Sequence, residues 1–269
     1  MDIFGSWQRT YPDSVQMESF PYPHVIVDDF FDAAFAESLA SEFKDPIHDP
    51  QWMQYWNPIE KKYARTDFRN LFATQRAFEA LQSNHFVDML QTMTSIPDLE
   101  CDPLLHGAGL HYHPREGKLD MHLDYSIHPS TGKERRLNLI VYLNREWKTS
   151  WGGALELWDA DFISCRKAID PTWNRAVLFR TSDLSFHGMP TPLMCPEEFG
   201  RKSLAIYYVS PPRPNVKHRA KAEFRPLPWQ PMSDRLRTLY EIRSHRRLED
   251  ADLYEGWESD PIGRGYWYI

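Results

Sequence analysis

The sequence is poor in cysteine and has no long hydrophobic run. Its three cysteines, Cys101, Cys165 and Cys195, lie far apart, so they form neither a disulfide framework nor a paired-cysteine metal motif. We therefore expect a reducing compartment and a cytoplasmic protein. No apolar stretch approaches the ~20 residues of a membrane helix. The opening residues, MDIFGSWQRT, lack the basic start and apolar segment of a signal peptide, so we expect no membrane partner.

An excess of positive charge is also missing. The formal net charge is −7, which argues against a general nucleic-acid binder. The 269 residues suffice for one large domain or two small ones, and the 42% hydrophobic content predicts a globular fold with an ample core.

The first hundred residues predict helices and an aromatic loop that support a single domain. Asp32 is placed to cap a helix that follows a short VIV strand. Residues 45–70 are rich in Trp and Tyr and look irregular, so they form either a packed aromatic loop or a lid over a pocket. Residues 74–95 look helical, with a break near Ser83 and Asn84.

Short β-rich runs dominate the chain from residue 101 to residue 212. They are LLHGAGLHYH, LDMHLDYSIH, RLNLIVYLN, ALELWD, AVLFR and SLAIYYVS. Such a series, with turns between its members, predicts an antiparallel sandwich or barrel. Because the helices precede the strands, we expect an α+β, mainly β fold with the N-terminal helices packed on one outer face.

Residues 213–269 predict a C-terminal extension with one helix, over 232–248, that Ser233 caps. Residues 213–247 carry ten Lys or Arg and three acids, and residues 249–260 then carry six acids. The pattern is typical of a solvated helix that its own acidic sequel neutralises. The alternative is a docking surface for an acidic partner or substrate.

His122 and Asp124 lie two residues apart in a strand-like run, GKLDMHLDYSIH, and therefore point the same way. Alone the pair is weak, because a histidine can simply bond to a neighbouring acid. His187, which follows the apolar strand AVLF, supplies a second imidazole. Two imidazoles and one carboxylate form a facial triad, which suits Fe(II) and leaves coordination positions open.

The strand RKSLAIYYVS begins fourteen residues after His187. Alternation places Arg201, Ser203, Ala205 and Tyr207 on one face. A buried arginine needs an anion, and its planar fork suits a carboxylate. A dicarboxylate that chelates iron at one end would present its far carboxylate to Arg201.

These features together resemble the Fe(II)/2-oxoglutarate-dependent dioxygenases, and most closely their prolyl 4-hydroxylase-like branch. The matching segments are YHPREGKLDMHLD (112–124), YLNREWKTSWGGALELW (142–158), FHGMPTPL (186–193) and RKSLAIYYVS (201–210). The resemblance covers roughly residues 105–210. It implies a double-stranded β-helix, or jelly roll, as the catalytic core, with Gly152 and Gly153 in a tight turn between strands.

The resemblance also implies the cofactors and the site residues. His122, Asp124 and His187 would bind Fe(II). Arg201 would pair with the distal carboxylate of 2-oxoglutarate, and Tyr142 would be placed to hydrogen-bond the same carboxylate. Tyr112 and Ser203 are further candidates for the cosubstrate pocket. Ascorbate is a candidate reductant. The implied reaction uses O2 to hydroxylate an unactivated C–H bond, with succinate and CO2 as coproducts.

The remaining histidines and the substrate are less clearly marked. We assign no metal to His106, His111, His113 or His128, and we expect His106 and His128 in loops or at the surface. Arg135 and Arg136 form either ordinary surface or a rim for an anionic substrate. The expected substrate is a small molecule or glycan-type precursor, and the alternative is a prolyl residue in a protein or peptide.

Two other classes remain open at this point. A jelly roll can be a non-catalytic metal-binding module, such as a sensor or lectin, or a structural zinc protein. An inward arginine beyond the metal favours the enzyme, because a lectin has no use for it. The sequence leaves the oligomeric state undetermined.

Overall fold

The structure, a computed structural model, describes residues 3–5, 16–44 and 46–260. Its strands are β1 (His24–Val27), β2 (Met53–Trp56), β3 (Glu60–Arg65), β4 (Glu100–Cys101), β5 (Gly109–His113), β6 (Lys118–Leu123), β7 (Glu134–Tyr142), β8 (Leu155–Trp158), β9 (Cys165–Ile169), β10 (Arg175–Arg180), β11 (His187–Met189), β12 (Arg201–Ser210) and β13 (Glu223–Phe224). Its α-helices are α1 (Ala33–Ser41), α2 (Phe72–Leu81), α3 (Asn84–Thr94) and α4 (Asp234–His245).

The helix boundaries follow the capping signals of the sequence. The Asp32 side chain accepts hydrogen bonds from the first turn of α1, and Ser83 caps α3 at the predicted break. Ser233 caps α4, which is shorter than predicted. Within the described ranges, none of these helices has the length and apolar character needed to cross a membrane.

The strands form a single antiparallel sheet that curls upon itself. Its order is β1-β10-β7-β12-β5-β3-β6-β11-β8-β9, with β13 beside β6, β2 beside β3 and β4 beside β12. β10 and β11 stand far apart in this order, yet the rings of Phe179 and His187 lie 4.8 Å apart. The ends of the sheet therefore face each other, which confirms the predicted jelly-roll core.

The two faces of β12 show where the core and the cavity lie. Leu204 and Ile206 join the main hydrophobic cluster, together with Leu39 of α1 and Leu90 of α3. The N-terminal helices therefore cover one outer face, as predicted. Arg201, Ser203, Ala205 and Tyr207 alternate with these residues and line the opposite, concave side. The predicted division of this strand is thus confirmed.

The prediction that residues 45–70 are irregular is wrong. They contain the β2–β3 hairpin, and β3 sits in the middle of the sheet between β5 and β6. Alternation along β3 turns Glu60, Lys62 and Ala64 into the cavity. The aromatic segment is therefore one wall of the cavity.

The C-terminal extension packs against the sheet as far as it is described. Leu236, Leu239 and Tyr240 of α4 are buried, and the Tyr240 hydroxyl contacts the Asp120 carboxylate on β6. α4 is thus half buried, which corrects the solvated helix that the charge pattern favours. Residues 261–269 lie outside the described residues, and the division at residues 100 and 212 stays a prediction.

Candidate active site

Strand pairing brings the predicted triad together. His122 on β6 and His187 on β11 are directly opposed in register, and their ring centroids are 4.3 Å apart. Asp124 follows β6 two residues after His122. Its Oδ1 lies 3.8 Å from His122 Nε2, and its Oδ2 lies 3.5 Å from His187 Nε2. One ligand atom from each residue falls within 4.8 Å of the others, so a single ion could be shared.

Both imidazoles are oriented for metal binding through Nε2. Nδ1 of His122 lies 2.9 Å from the Asp120 carbonyl, and Nδ1 of His187 lies 2.9 Å from the Ser185 carbonyl. Each Nδ1 therefore carries the proton and donates it, which leaves the Nε2 lone pair for a metal. Burial lowers the pKa of His122 to about 3, and burial lowers the pKa of His187 as well. Both rings are therefore neutral at pH 7.

Two side chains of β7, a strand that is not adjacent to β6 in the sheet, fix the Asp124 carboxylate. Asn138 Nδ2 donates to Oδ2 over 2.8 Å, and an Arg135 Nη lies 3.2 Å from the same oxygen. Burial alone would raise the pKa of Asp124, but the charge of Arg135 and the hydrogen bond from Asn138 outweigh it and hold the pKa below its ordinary value. The group is therefore an anion, so the donor set of two neutral imidazoles and one carboxylate fits Fe(II).

Arg201 faces the same cavity as the triad and lacks an anion. Its Nε donates to the Gly153 carbonyl over 2.8 Å, and its Nη2 donates to the Tyr142 hydroxyl over 3.1 Å. Arg201 is 5% exposed, and no carboxylate in the described part of the chain pairs with it. Burial lowers the pKa of this guanidinium. A buried cation with free N–H groups fits the far carboxylate of 2-oxoglutarate.

The Gly-Gly turn permits this arrangement. Gly152 and Gly153 have φ of 74° and 81°, as the predicted turn requires. A Cβ on Gly153 would lie 2.7 Å from Leu193 Cδ2 and 3.3 Å from Arg201 Cδ. Glycine therefore allows the turn to approach the arginine that it holds.

The triad and Arg201 share one cavity of about 660 Å³. Ser203 lines it, whereas Tyr142 is fully buried and accepts a hydrogen bond from Arg201. A direct contact of either residue with the cosubstrate stays a prediction. Tyr112 does not line it, which corrects its placement in the cosubstrate pocket. Its ring lies in the hydrophobic core, 6.5 Å from that of Tyr63.

His113 takes the position expected of Tyr112. It is paired in register with Arg201 and lines the cavity, and neither ring nitrogen has a hydrogen-bond partner among the described residues. The prediction that His111 and His113 face away from Tyr112 is correct. It is the two histidines, however, that face the cavity, while Tyr112 faces the hydrophobic core. The pairing of His113 with Arg201 on the neighbouring strand decides this, and the pairing comes from the fold.

One other expectation from the sequence needs correction. Arg135 is 4% exposed and contacts Asp124, so it is neither surface nor rim. His106 and His128 both lie in loops, as expected. His128 is buried, with Nε2 3.3 Å from Asp102 Oδ1, and His106 lines the cavity. Sequence reasoning missed Asn138 entirely, because its contact with Asp124 comes from a different strand.

Comparison with known protein families identifies the domain that contains the site. Residues 108–209 match the family model described as "2OG-Fe(II) oxygenase superfamily". This range contains the triad, Arg201 and every strand from β6 to β11.

The chain carries a 2OG-Fe(II) oxygenase domain.

That family uses Fe(II) and 2-oxoglutarate, so the predicted cofactors are confirmed at the level of the family, and the donor set of the domain fits them. The predicted enzyme class is confirmed at the same level.

Two similar proteins are prolyl 3-hydroxylases by name. The chain is 23% identical over 217 residues to the prolyl 3-hydroxylase OGFOD1 of Mus musculus, which covers 78% of the chain and 37% of that protein. It is 28% identical over 179 residues to the prolyl 3-hydroxylase OGFOD1 of Xenopus laevis, with 65% and 32% covered. The chain thus spans about a third of the length of these curated relatives.

Solved structures support the fold. A prolyl hydroxylase of Trichoplax adhaerens, in complex with a peptide of the hypoxia-inducible factor, superposes with a TM-score of 0.54 at 16% identity, covering 70% of this chain and 83% of that one. A prolyl-4-hydroxylase of Pseudomonas putida gives 0.53 at 17% identity, covering 71% and 93%. These neighbours support the jelly-roll fold, and the two relatives described above support the predicted prolyl 4-hydroxylase-like branch.

Proposed function

We propose that this chain is an Fe(II)- and 2-oxoglutarate-dependent dioxygenase that hydroxylates an unactivated C–H bond, with succinate and CO2 as coproducts. One observation carries the proposal: a buried arginine without an anion faces the same cavity as a two-histidine, one-carboxylate triad. A non-catalytic metal-binding module or a structural zinc protein has no need of the first feature. The combination therefore favours the enzyme.

The position of each site residue indicates its role. His122, Asp124 and His187 hold Fe(II), and Asn138 and Arg135 orient the carboxylate. Arg201 grips the far carboxylate of 2-oxoglutarate, and the Tyr142 hydroxyl fixes its guanidinium. Ser203 and His113 flank the same pocket.

Iron and 2-oxoglutarate together supply the oxidising power for C–H cleavage when they are bound with O2. The protein contributes position and a closed environment. The cavity wall beside the triad includes the apolar side chains of Ile140, Leu155 and Met189, which limit the access of water to the reacting atoms. An additional role of ascorbate as reductant stays a prediction.

A small molecule or glycan-type precursor is the first candidate substrate. The cavity of about 660 Å³ falls in the range of small-molecule sites, roughly 300–1,000 Å³. A prolyl residue in a protein or peptide is the second candidate, and the names of the relatives favour it. Turnover of 2-oxoglutarate in the presence of proline-containing peptides distinguishes the two.

An anaerobic titration tests the proposal. Metal-free protein receives Fe(II) and then 2-oxoglutarate, while the weak visible charge-transfer band of a chelated keto acid is followed. We expect a band that needs both additions and that His122→Ala abolishes. Arg201→Met should retain iron and weaken 2-oxoglutarate binding by about 100-fold or more, because it removes one partner of a buried ion pair.

Lys202→Met is the matched control, since Lys202 points away from the cavity on the same strand. It should leave the band and both affinities unchanged. Iron binding without the band in the wild-type protein would favour a metal-binding module instead. Unchanged 2-oxoglutarate affinity in Arg201→Met would contradict the assignment of Arg201 to the far carboxylate of 2-oxoglutarate.

A further inference from the structure

Four basic side chains line the cavity in addition to Arg135 and Arg201, and we call these four the basic mouth. They are Lys62 on β3, Lys221 before β13, Arg243 on α4 and Arg247 after α4, and all four line the cavity that contains the triad. Three of them come from the C-terminal segment whose basic composition the sequence leaves open between solvated surface and docking site.

The basic mouth has more positive charge than its surroundings neutralise. Glu60 is the acid that it contacts: Arg243 Nε donates to Oε1 over 2.6 Å, and Lys62 Nζ lies 3.9 Å from Oε2. Burial would raise the pKa of Glu60, but Arg243 and Lys62 outweigh it and hold the pKa below its ordinary value. In the described part of the chain, the Glu60 carboxylate thus lies near two of the cations, Lys62 and Arg243. Lys221 and Arg247 form no ion pair with a carboxylate there.

Two of these cations, Arg247 and Lys62, lie against one aromatic ring. The guanidinium of Arg247 lies 4.2 Å from the centre of the Tyr55 ring, and Lys62 Nζ lies 5.1 Å from it. Arg247 also donates to the Gln54 carbonyl. The Lys62 side chain is only 14% exposed, so its ammonium faces the cavity largely out of bulk water. An anion bound there would have a stronger electrostatic attraction to the ammonium than an anion at an open surface, because less water screens the two charges.

The basic mouth is connected to the triad through one ring. The Arg243 guanidinium stacks 4.6 Å from the centre of Phe224, and that ring stacks on His122 with centroids 4.9 Å apart. Arg201 lies on β12, on a different wall, and is already assigned to the cosubstrate. The cavity therefore has a second site for negative charge, one aromatic ring away from the ligand His122.

We propose that the basic mouth binds a carboxylate or phosphate group of a small-molecule substrate and so directs the rest of that molecule towards the triad. This inference rests on the proposed function and specifies its substrate as anionic. The anion-binding residues are Lys62 and Lys221. Arg243 and Arg247 already donate hydrogen bonds to Glu60 and Gln54, whereas Lys62 lies 3.9 Å from Glu60, too far for a hydrogen bond.

Thermal unfolding with simple anions tests this site. The protein is loaded under nitrogen with Mn(II) and saturating 2-oxoglutarate, so that Arg201 is occupied and no turnover occurs. Sodium sulfate, which represents a phosphate group, and sodium acetate, which represents a carboxylate, are each compared with sodium chloride at equal ionic strength. At ten times its dissociation constant, a bound anion should raise Tm by about 3–6 °C.

Variants separate specific binding from general salt effects, because sulfate stabilises folded proteins by exclusion from their surface. Lys62→Met and, independently, Lys221→Met should weaken the anion by about tenfold or more. Lys44→Met, an exposed lysine outside the cavity, should behave as the wild type. Lys221 lies outside any strand, so its variant keeps the test valid if Lys62→Met disturbs the hairpin.

The outcomes decide the proposal. A saturable shift with sulfate assigns a phosphate-like group, and a saturable shift with acetate assigns a carboxylate, provided that the Lys62 or Lys221 variant loses it. Equal shifts in all variants, or no shift, would overturn the proposal. A shift produced by a capped glutamate decamer but by neither salt would overturn its small-molecule form. A normal charge-transfer band in Fe(II)-loaded wild type would show that the failure concerns the anion site and leaves the proposed oxygenase intact.

Discussion

The side-chain amide of Asn138 donates a hydrogen bond of 2.8 Å to Oδ2 of Asp124. The amide oxygen of Asn138 in turn accepts a hydrogen bond of 2.7 Å from Arg135 Nε. Both partners belong to β7, which lies several strands away from β6 in the sheet order. The curl of the sheet thus lets one wall of the cavity set the orientation of a carboxylate that stands on another.

Asn138→Leu should therefore weaken metal binding without unfolding the protein. Loss of an outer hydrogen bond to a ligand carboxylate typically costs 10–100-fold in metal affinity, and we expect roughly that loss here. Anaerobic calorimetric titration with Fe(II) measures it, with Tm as the check on folding. Asn215→Leu, an exposed position, is the control. Wild-type affinity in Asn138→Leu would show that Arg135 alone orients the carboxylate.

His113→Phe and Tyr112→Phe form a matched pair on adjacent positions of β5. His113 lines the cavity with unpaired ring nitrogens, whereas Tyr112 lies in the hydrophobic core. We expect His113→Phe to weaken 2-oxoglutarate by about 2- to 10-fold, the value of one hydrogen bond, and to leave Fe(II) affinity unchanged. Tyr112→Phe should change neither affinity. The reverse result would restore Tyr112 to the cosubstrate pocket.

Gly153→Ala and Gly152→Ala separate backbone strain from crowding of Arg201. Both glycines have positive φ, so either substitution should lower the free energy of unfolding by about 1–3 kcal/mol. Nothing lies within 4 Å of a Cβ on Gly152, whereas a Cβ on Gly153 would lie 3.3 Å from Arg201 Cδ. Only Gly153→Ala should also weaken 2-oxoglutarate binding. Urea unfolding and titration of the cosubstrate check the two effects, and equal cosubstrate affinities in both variants would contradict the crowding.

Acid should destabilise the metal-free protein through its buried histidines. Burial lowers the pKa of His111 and of His113 well below 6.5. The unfolded chain therefore binds more protons below pH 6.5, so stability is complete above that pH and falls as the pH decreases. Each such group contributes up to about 1.4 kcal/mol per pH unit. Urea unfolding between pH 7.5 and 4.5 should show a shallower slope for His113→Phe, and identical slopes would refute the assignment.

The sequence predicted best those features that depend on local periodicity. Alternation along β12 placed Arg201 and Ser203 on one face, and the spacing of His122 and Asp124 placed both ligands together. Alternation along β12 does not reveal which side chains of its neighbour β5 point into the cavity beside Arg201. The choice between Tyr112 and His113 depends on the register of β5 against β12, which no local pattern contains.

Contacts between distant segments account for the other errors. Arg135 looked like surface because its partner Asp124 belongs to another strand. β3 looked irregular because two lysines and a glutamate occupy its cavity side and outer side, where apolar residues normally mark a strand. Its place in the centre of the sheet comes from pairing with β5 and β6.

The pairing of β6 also sets the order in which the site can form during folding. β6 pairs with β3, β11 and β13, which come from the early, middle and late parts of the chain. Such non-local pairing forms slowly, and a nascent chain that ends before His187 lacks one ligand altogether. Redox-active iron would therefore be held by all three ligands only after β11 has been synthesised and has paired with β6. Its binding would stabilise the whole domain against unfolding, so metal occupancy would report on global folding as well as on catalytic readiness.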